Sequence, residues 1–270
     1  MSGMSQDARD SVLSGFEPVA TAAGKDGLTL AAQLFAAVDA IDGSGSLRRA
    51  LTDPARPGTD KSVLVDQLFS TMDSRVQDVL REFVNQRWSS EGHLTDAVAE
   101  AGYVALLAAA DATGKLSAVE EELFRVERAL TAERDLLVAL GNRAAPRASR
   151  VQLLRSVLGG KVEPITEALV ERAVAAPRGT RLIATIKKLV VMAAERRGRS
   201  VARVTAAVEL SAAQRQRLAS ILQRAYGREI HLNVAVDPAV IGGMKVQVGS
   251  EVVDGTVLAR LDDARRRLVG

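Results

Sequence analysis

Residues 237–254 read DPAVIGGMKVQVGSEVVD, and this stretch decides how the C-terminal part of the chain folds. The Asp-Pro pair at its start predicts a turn, because proline fixes φ and cannot donate a ladder hydrogen bond. Gly242-Gly243 predicts a tight bend with positive φ. The following MKVQV alternates apolar and polar residues, which is typical of a half-buried strand. We therefore predict a hairpin here. A phosphate-binding loop is excluded, because a strand and not a helix follows the glycines.

The sequence on either side of this stretch completes a small α+β domain. Residues 204–210, Val208 included, alternate in the same way, as do residues 230–236, and each run predicts a strand. Ser211, with Gln214 three residues later, predicts a capping box at the start of a helix. A strand–helix–strand order of this kind predicts that the two strands pair in parallel. Thr256 is placed to cap a last helix.

Before residue 200 the apolar residues recur at spacings of three and four, which predicts helices only. The pattern also repeats along the chain. QLF at 33–35 returns as ELF at 122–124, an offset of 89 (124 − 35), and at the same offset LRRAL at 47–51 meets LLVAL at 136–140. The order of long helix, short helix, proline-containing loop and helix is the same in both halves. The sequence therefore predicts a duplicated helical unit.

These patterns define a mainly α fold class, in which a duplicated N-terminal helical bundle precedes a small α+β C-terminal domain. We predict three domains: residues 1–112 as the first copy of the bundle, 113–198 as the second copy, and 199–270 as the α+β domain, in the order strand, helix, hairpin, helix. Aromatic residues make up only 3% of the chain, and small apolar residues with few rings favour close-packed helices over a β-sandwich.

The composition excludes several classes of function. There is no cysteine, so disulfides, thiolate catalysis and cysteine-bound metals are excluded. The 36 basic residues face 33 acidic ones, and a net charge of +3 gives no strong case for nucleic acid or an anionic membrane. No apolar run approaches the ~18 residues of a membrane helix, and the N-terminus lacks the pattern of a signal peptide. We expect the chain to reach a membrane only through partners.

The residues that carry chemistry in other proteins form no site here. There is no P-loop and no dinucleotide-binding motif. His93 and His231 are the only histidines, and neither has a second histidine or a carboxylate at ligand spacing, so we predict structural or solvated roles. Trp88 is predicted to seal the end of a bundle core rather than to anchor a partner. We predict no catalytic residue, no cofactor-binding residue, no metal site and no cofactor.

One charged segment leaves an alternative open. The helix predicted within residues 178–199 carries many arginines and lysines against one acidic residue, Glu195. A helical adaptor or a nucleic-acid-binding protein that uses this helix is therefore the second hypothesis, and it predicts salt-sensitive binding. No aromatic or glycine-rich RNA motif accompanies the helix, so a solvated face or an acidic protein partner is favoured.

The C-terminal residues resemble the signature of the delta subunit of F-type ATP synthase, the oligomycin-sensitivity-conferring protein family, in its longer actinobacterial form. The DPAVIGG segment is the most specific element, and DGT at 254–256 is the second. The signature positions, which the resemblance marks as structural or partner-binding, are Asp237, Pro238, Ile241, Gly242, Gly243, Gly249, Asp254, Thr256 and Leu261. A typical member has one helical bundle, whereas this chain has room for two.

The resemblance implies a mechanical function and no catalysis. A family member joins the catalytic alpha/beta head to the peripheral stalk, so that proton flow drives ATP synthesis. The implied partners are the N-terminal helix of an alpha subunit, held by a helical domain as a helix in a groove, and the C-terminal helix of the b subunit, held by the small domain. The implied location is peripheral, on the cytoplasmic face of the bacterial plasma membrane, with no nucleic acid bound.

Overall fold

The computed structural model describes residues 3–177, 181–199, 201–226, 230–237, 240, 242–248 and 251–254. The chain divides into two compact units, Met1–Met192 and Ala193–Gly270. The first unit is helical, and the second contains the four-stranded sheet. The predicted class, mainly α with a small α+β domain at the C-terminal end, is confirmed.

Helices follow one another with short connections through the first unit, a 3-10 turn at Gly24–Asp26 links the first two, and the last helix, α11, continues past Met192. Their bounds are α1 Gly3–Ala23, α2 Gly27–Gly43, α3 Gly45–Thr52, α4 Gly58–Leu68, α5 Ser74–Asn85, α6 Glu91–Ala112, α7 Leu116–Ala132, α8 Arg134–Gly141, α9 Arg147–Leu158, α10 Pro164–Ala175 and α11 Leu182–Arg199.

Helix α6 is the centre of this unit. Fourteen of its 22 residues are buried, which fits a helix that is apolar on all sides rather than along one stripe. Small residues let neighbouring helices approach closely: a side chain at Gly102 would lie 2.3 Å from the Phe35 ring of α2. The Phe35 and Tyr103 rings lie 5.4 Å apart, so α2 is fixed against α6 by aromatic packing.

The helices recur in length and order along the first unit. α7 begins 89 residues after α2 (116 − 27), and both contain 17 residues. α8 follows α3 at the same offset with eight residues each, and α10 follows α5 at an offset of 90 (164 − 74) with twelve residues each. A side-chain contact recurs as well: the Gln33 amide accepts from the backbone N–H of Asp73 (2.7 Å), and the Glu122 carboxylate accepts from that of Glu163 (2.9 Å).

We propose that these helices are two copies of one unit, in line with the three domains predicted from sequence. By this correspondence α6 is the last helix of the first copy and the first helix of the second copy, since it matches α1 in position and near-equal length. The two copies would then share one helix and belong to a single compact unit.

The second unit contains β1 Val201–Ala206, α12 Ala212–Tyr226, β2 His231–Val236, β3 Met244–Val248 and β4 Glu251–Asp254. The strand order is β2-β1-β3-β4, with β1 and β2 parallel as predicted and the other pairs antiparallel. Ser211 and Gln214 form the predicted capping box, at 2.9 and 3.2 Å. The core lies on one face of the sheet, where Val204, Val246 and Leu222 are buried together.

Two sequence predictions are wrong in detail. Val208 does not belong to the first strand, because β1 ends at Ala206 and the Val208 side chain is 70% exposed. The Asp-Pro–Gly-Gly stretch is not a hairpin, because β2 and β3 pair with opposite sides of β1. It is a crossover past the end of β1, and the hairpin lies one strand later, between β3 and β4. The predicted last helix lies outside the described residues.

Candidate partner-binding surfaces

The crossover between β2 and β3 is held against the end of β1. The backbone N–H of Asp237 donates to the Ala206 carbonyl (2.9 Å), and that of Val240 donates to the Asp237 carbonyl (3.1 Å). Gly242 has φ 66° and Gly243 has φ 79°, so the predicted positive φ of both glycines is confirmed. A side chain at either position would be strained, which explains the glycine pair by backbone geometry.

Four of the nine signature residues can be located, and all four lie at one end of the sheet. Asp237 follows β2 directly, and Gly242-Gly243 precede β3. Asp254 ends β4 and is paired with Lys245, one residue from the start of β3. Pro238, Ile241, Gly249, Thr256 and Leu261 lie outside the described residues. The four described signature residues therefore lie together at one end of the sheet.

Apolar side chains are exposed close to this end. Val236 ends β2 and is 50% exposed, and Val252 and Val253 of the edge strand β4 are 49% and 64% exposed. Exposed valines on an edge strand and beside a crossover supply apolar area that a partner helix can cover.

In the helical unit, the two proposed copies meet at a charged joint. The Asp39 carboxylate of α2 accepts from Arg172 of α10 (2.7 Å) and from Arg147 of α9 (2.8 Å). Arg172 is 5% exposed, and its guanidinium lies 4.7 Å from the centre of the Phe35 ring. Burial raises the pKa of Asp39, but the hydrogen bonds and positive charges of Arg147 and Arg172 outweigh it and hold this pKa below its usual value.

The sequence patterns do not predict this joint. Arg172 stands at a core position of α10, three residues after the buried Leu169 and seven after the buried Ile165. A basic residue in an otherwise apolar helical stripe signals a buried ion pair, and this signal could have identified Arg172. Nothing in the sequence identifies Asp39 as its partner, because the two residues are 133 positions apart.

The first copy has an exposed surface between its first and fifth helices, which we call the α1–α5 face. The helices meet where a side chain at Gly15 would lie 3.6 Å from the Glu82 carboxylate. Its exposed members are small or acidic: Asp7, Asp10, Ser11, Ser14, Gly15, Pro18, Asp78 and Glu82. The corresponding helices of the second copy, α6 and α10, are covered by α2 through Phe35 and Asp39.

The residues of the alternative hypothesis have other roles. In the basic helix, Lys188 binds Glu100 (2.7 Å) and Lys187 lies 3.8 Å from Glu127, while Ile186 and Leu189 are fully buried. Arg178 lies outside the described residues. Both lysines are exposed, but each has a carboxylate beside it, which weakens the case for nucleic-acid binding by this part of α11.

The other singled-out residues have structural contacts. The Trp88 indole is buried and donates to the Phe83 carbonyl (2.8 Å), as predicted for a ring that seals a core. His93 lies 3.1 Å from the Ser5 and Ser89 hydroxyls. Within the described residues, no group of acidic or histidine side chains is arranged to hold a metal ion. No helix there is long and apolar enough to cross a membrane.

The described surfaces are exposed helix faces and a sheet end, which are the features of a protein that binds other proteins. Comparison with known proteins identifies the family. The model of the ATP synthase delta (OSCP) subunit family matches residues 103–268, and the chain belongs to this family. The match begins within α6, so it spans the proposed second copy and the C-terminal unit. The chain is accordingly a non-catalytic subunit of ATP synthase and a peripheral part of a membrane-bound complex.

Relatives with the same long form align along nearly the whole chain. The ATP synthase subunit delta of Beutenbergia cavernae is 48% identical over 256 residues, which cover 94% of each chain. Those of Streptomyces griseus and Streptomyces avermitilis are 44% and 43% identical, over 91% and 98% of each chain. The resemblance to the longer actinobacterial delta subunits is confirmed.

Proposed function

We propose that the chain joins the catalytic alpha/beta head of ATP synthase to the b-subunit stalk, on the cytoplasmic face of the plasma membrane. The head is thereby kept from turning with the rotor, and proton flow drives ATP synthesis. The observation that carries this proposal is the presence of two compact units on one chain of this family. Linking two contacts raises the effective concentration of the second and slows release from the complex.

The α1–α5 face is our proposed site for the N-terminal helix of an alpha subunit. The internal correspondence supports this choice: in the second copy the equivalent face is covered by the helix α2. A groove that holds a helix in one copy and is exposed in the other suits a helix supplied by a partner. The acidic residues of the face, Glu82 among them, favour a helix with basic side chains.

For the b subunit we propose the signature end of the sheet in the second unit. Backbone hydrogen bonds join Asp237 to Ala206 and Val240 to Asp237, and Gly242 and Gly243 have positive φ, which supports a defined surface at this end of the sheet. By strand register Val236 and Val253 lie on the same face of the sheet, and they provide apolar contact for an amphipathic C-terminal helix of b.

Reconstitution of coupling tests the proposed function. Membranes are depleted of the chain by a low-salt wash, and ATP-driven proton pumping is measured before and after the purified chain is added back. We expect pumping to fall to background on depletion, ATP hydrolysis to persist, and pumping to return with the chain, which should co-purify with alpha and b. Pumping that persists without the chain, or recovery of neither partner, would refute the function.

A charge reversal tests the alpha site separately. Glu82→Lys should weaken binding of an alpha N-terminal peptide by about tenfold, because an acidic side chain at the centre of the face becomes basic. Asp135→Lys, an equal charge change at an exposed residue of α8, serves as the control. Equal affinities of the two variants would place alpha elsewhere.

A further inference from the structure

The joint between the two copies shows how this helical unit seats a neighbouring element. α2 presents an aromatic ring and a charge one turn apart, Phe35 and Asp39, and α10 covers them with Arg172. The two positions recur 89 residues later on α7 as Phe124 and Arg128. The ring is therefore retained in the second copy, and the charge beside it is reversed.

On α7 this surface is uncovered. Phe124 is 48% exposed, whereas Phe35 is half-buried against Gly102 and Tyr103. The Arg128 guanidinium lies 6.0 Å from the centre of the Phe124 ring and is exposed. Among the residues that the structure describes, no carboxylate pairs with Arg128. Two other basic residues do have acidic partners: Arg125 lies near Glu121, and Lys187 of α11 lies near Glu127.

We propose that the α7 face, defined by Phe124 and Arg128, seats an amphipathic helix of another ATP synthase subunit. That helix places a carboxylate against Arg128 and small apolar residues against the Phe124 ring. The proposal rests on the proposed function, because it requires the chain to be in the complex. It concerns a surface separate from both the α1–α5 face and the signature end of the sheet.

The internal joint specifies the chemistry of the occupant. The Asp39 carboxylate accepts hydrogen bonds from two guanidinium groups. Because the charge is reversed at Arg128, its partner must supply the acceptor. A carboxylate forms the strong charge-assisted pair with arginine. The Phe35 ring is packed against a glycine of α6, so the Phe124 ring calls for small residues on the partner. A half-exposed aromatic beside an arginine is also the composition found at the centres of protein–protein contacts.

A second copy of this chain also satisfies the charge rule, but its assembly would not close. Glu82 of the first copy stands at the position of Arg172, so the α1–α5 face of another chain could meet Arg128. That contact joins two different surfaces of identical chains and therefore leads to open-ended assembly. A subunit present in a closed complex is free of this consequence, and we commit to it.

Photo-crosslinking in the intact complex tests the proposal. p-Benzoylphenylalanine replaces Phe124 in the full chain, the ATP synthase complex is purified and irradiated, and the crosslinked peptide is identified by mass spectrometry. We expect one helical segment of another subunit, with Asp or Glu within one turn of the crosslink. Adding Arg128→Glu should lower the crosslink yield about tenfold, whereas Arg56→Glu, an equal charge change at an exposed loop residue, should leave it unchanged.

The outcomes separate this inference from the proposed function. If the chain is recovered at its normal stoichiometry but position 124 crosslinks to no other subunit, only to a second copy, or to a segment without a carboxylate, the α7 proposal is overturned and the connector function stands. An unchanged yield in Arg128→Glu also overturns it. If the chain is missing from purified ATP synthase, both proposals fail. Replacing the identified carboxylate by lysine should restore the crosslink in the Arg128→Glu background.

Discussion

At the scale of single residues, Asp39 has the largest effect we can assign in the helical unit. Asp39→Asn should lower the free energy of unfolding by about 2 kcal/mol, because it leaves the nearly buried Arg172 without its counter-charge while Asp39 itself is partly solvated. Urea unfolding followed by circular dichroism measures the change. Asp66→Asn removes an exposed ion pair with Arg81 and is the control, with an expected loss under about 1 kcal/mol. Equal losses of unfolding free energy in the two variants would show that the Asp39–Arg172 pair contributes no more than an exposed ion pair.

The same carboxyl gives a pH dependence. The pKa of Asp39 lies below its usual value in the folded chain, so its contribution to stability is present above the unfolded pKa of about 3.9 and is lost as the pH falls through the lower folded value. The difference in unfolding free energy between the wild type and Asp39→Asn should therefore be constant from pH 7 to about 5 and shrink below pH 4. A difference that grows on acidification would contradict this assignment.

At the scale of elements, the crossover between β2 and β3 depends on its glycines. Gly243→Val should destabilise the C-terminal unit by more than about 1 kcal/mol, because a β-branched side chain is placed at φ 79°. Affinity for the b subunit should fall with it. Gly243→Asn is the matched variant, since asparagine tolerates positive φ, and it should be milder. Thermal unfolding measures the stability of both variants, and a binding assay measures their affinity for the b subunit. Unchanged stability and affinity in Gly243→Val would mean that the crossover can adopt another conformation.

The crossover also shows what an element-level pattern leaves open. Alternation predicts β2 and β3, and the glycines predict the bend. Neither pattern predicts that β1 lies between β2 and β3 in the sheet. Seven residues separate the two strands, more than the two to five of an ordinary hairpin loop, and this length was the available signal. The sequence pattern places Val208 in β1 because the alternation continues past the point where the partner strands end.

At the scale of the whole molecule, the shared helix α6 should make the first unit respond as one body. Because α6 packs in both proposed copies, we expect its amides to exchange slowest with solvent, and buried helices of both copies to share one opening free energy under native conditions. Native-state hydrogen exchange with increasing urea measures this. The exposed helix α8, with one buried residue, should exchange by local opening and serves as the internal reference. Separate opening energies for α2 and α10 would show two independent bundles.

Spacing and residue type along the chain predict most of the helices and strands, the capping box at Ser211 and the positive φ of Gly242 and Gly243. These features follow from spacing and from the conformational limits of single residues, so they can be deduced locally. The family resemblance rested on the same local segment, and the comparisons confirmed it.

Which surfaces meet follows from the folded chain and not from local sequence. In the fold, Arg172 contacts Asp39, β1 lies between β2 and β3, and four signature residues lie at one end of the sheet. The fold also leaves Phe124 exposed while its counterpart Phe35 is half-buried, a difference that two nearly identical local sequences, QLF and ELF, do not express. The physical reason is that burial and charge pairing depend on residues far apart in the chain, whose meeting is fixed by the packing of whole helices.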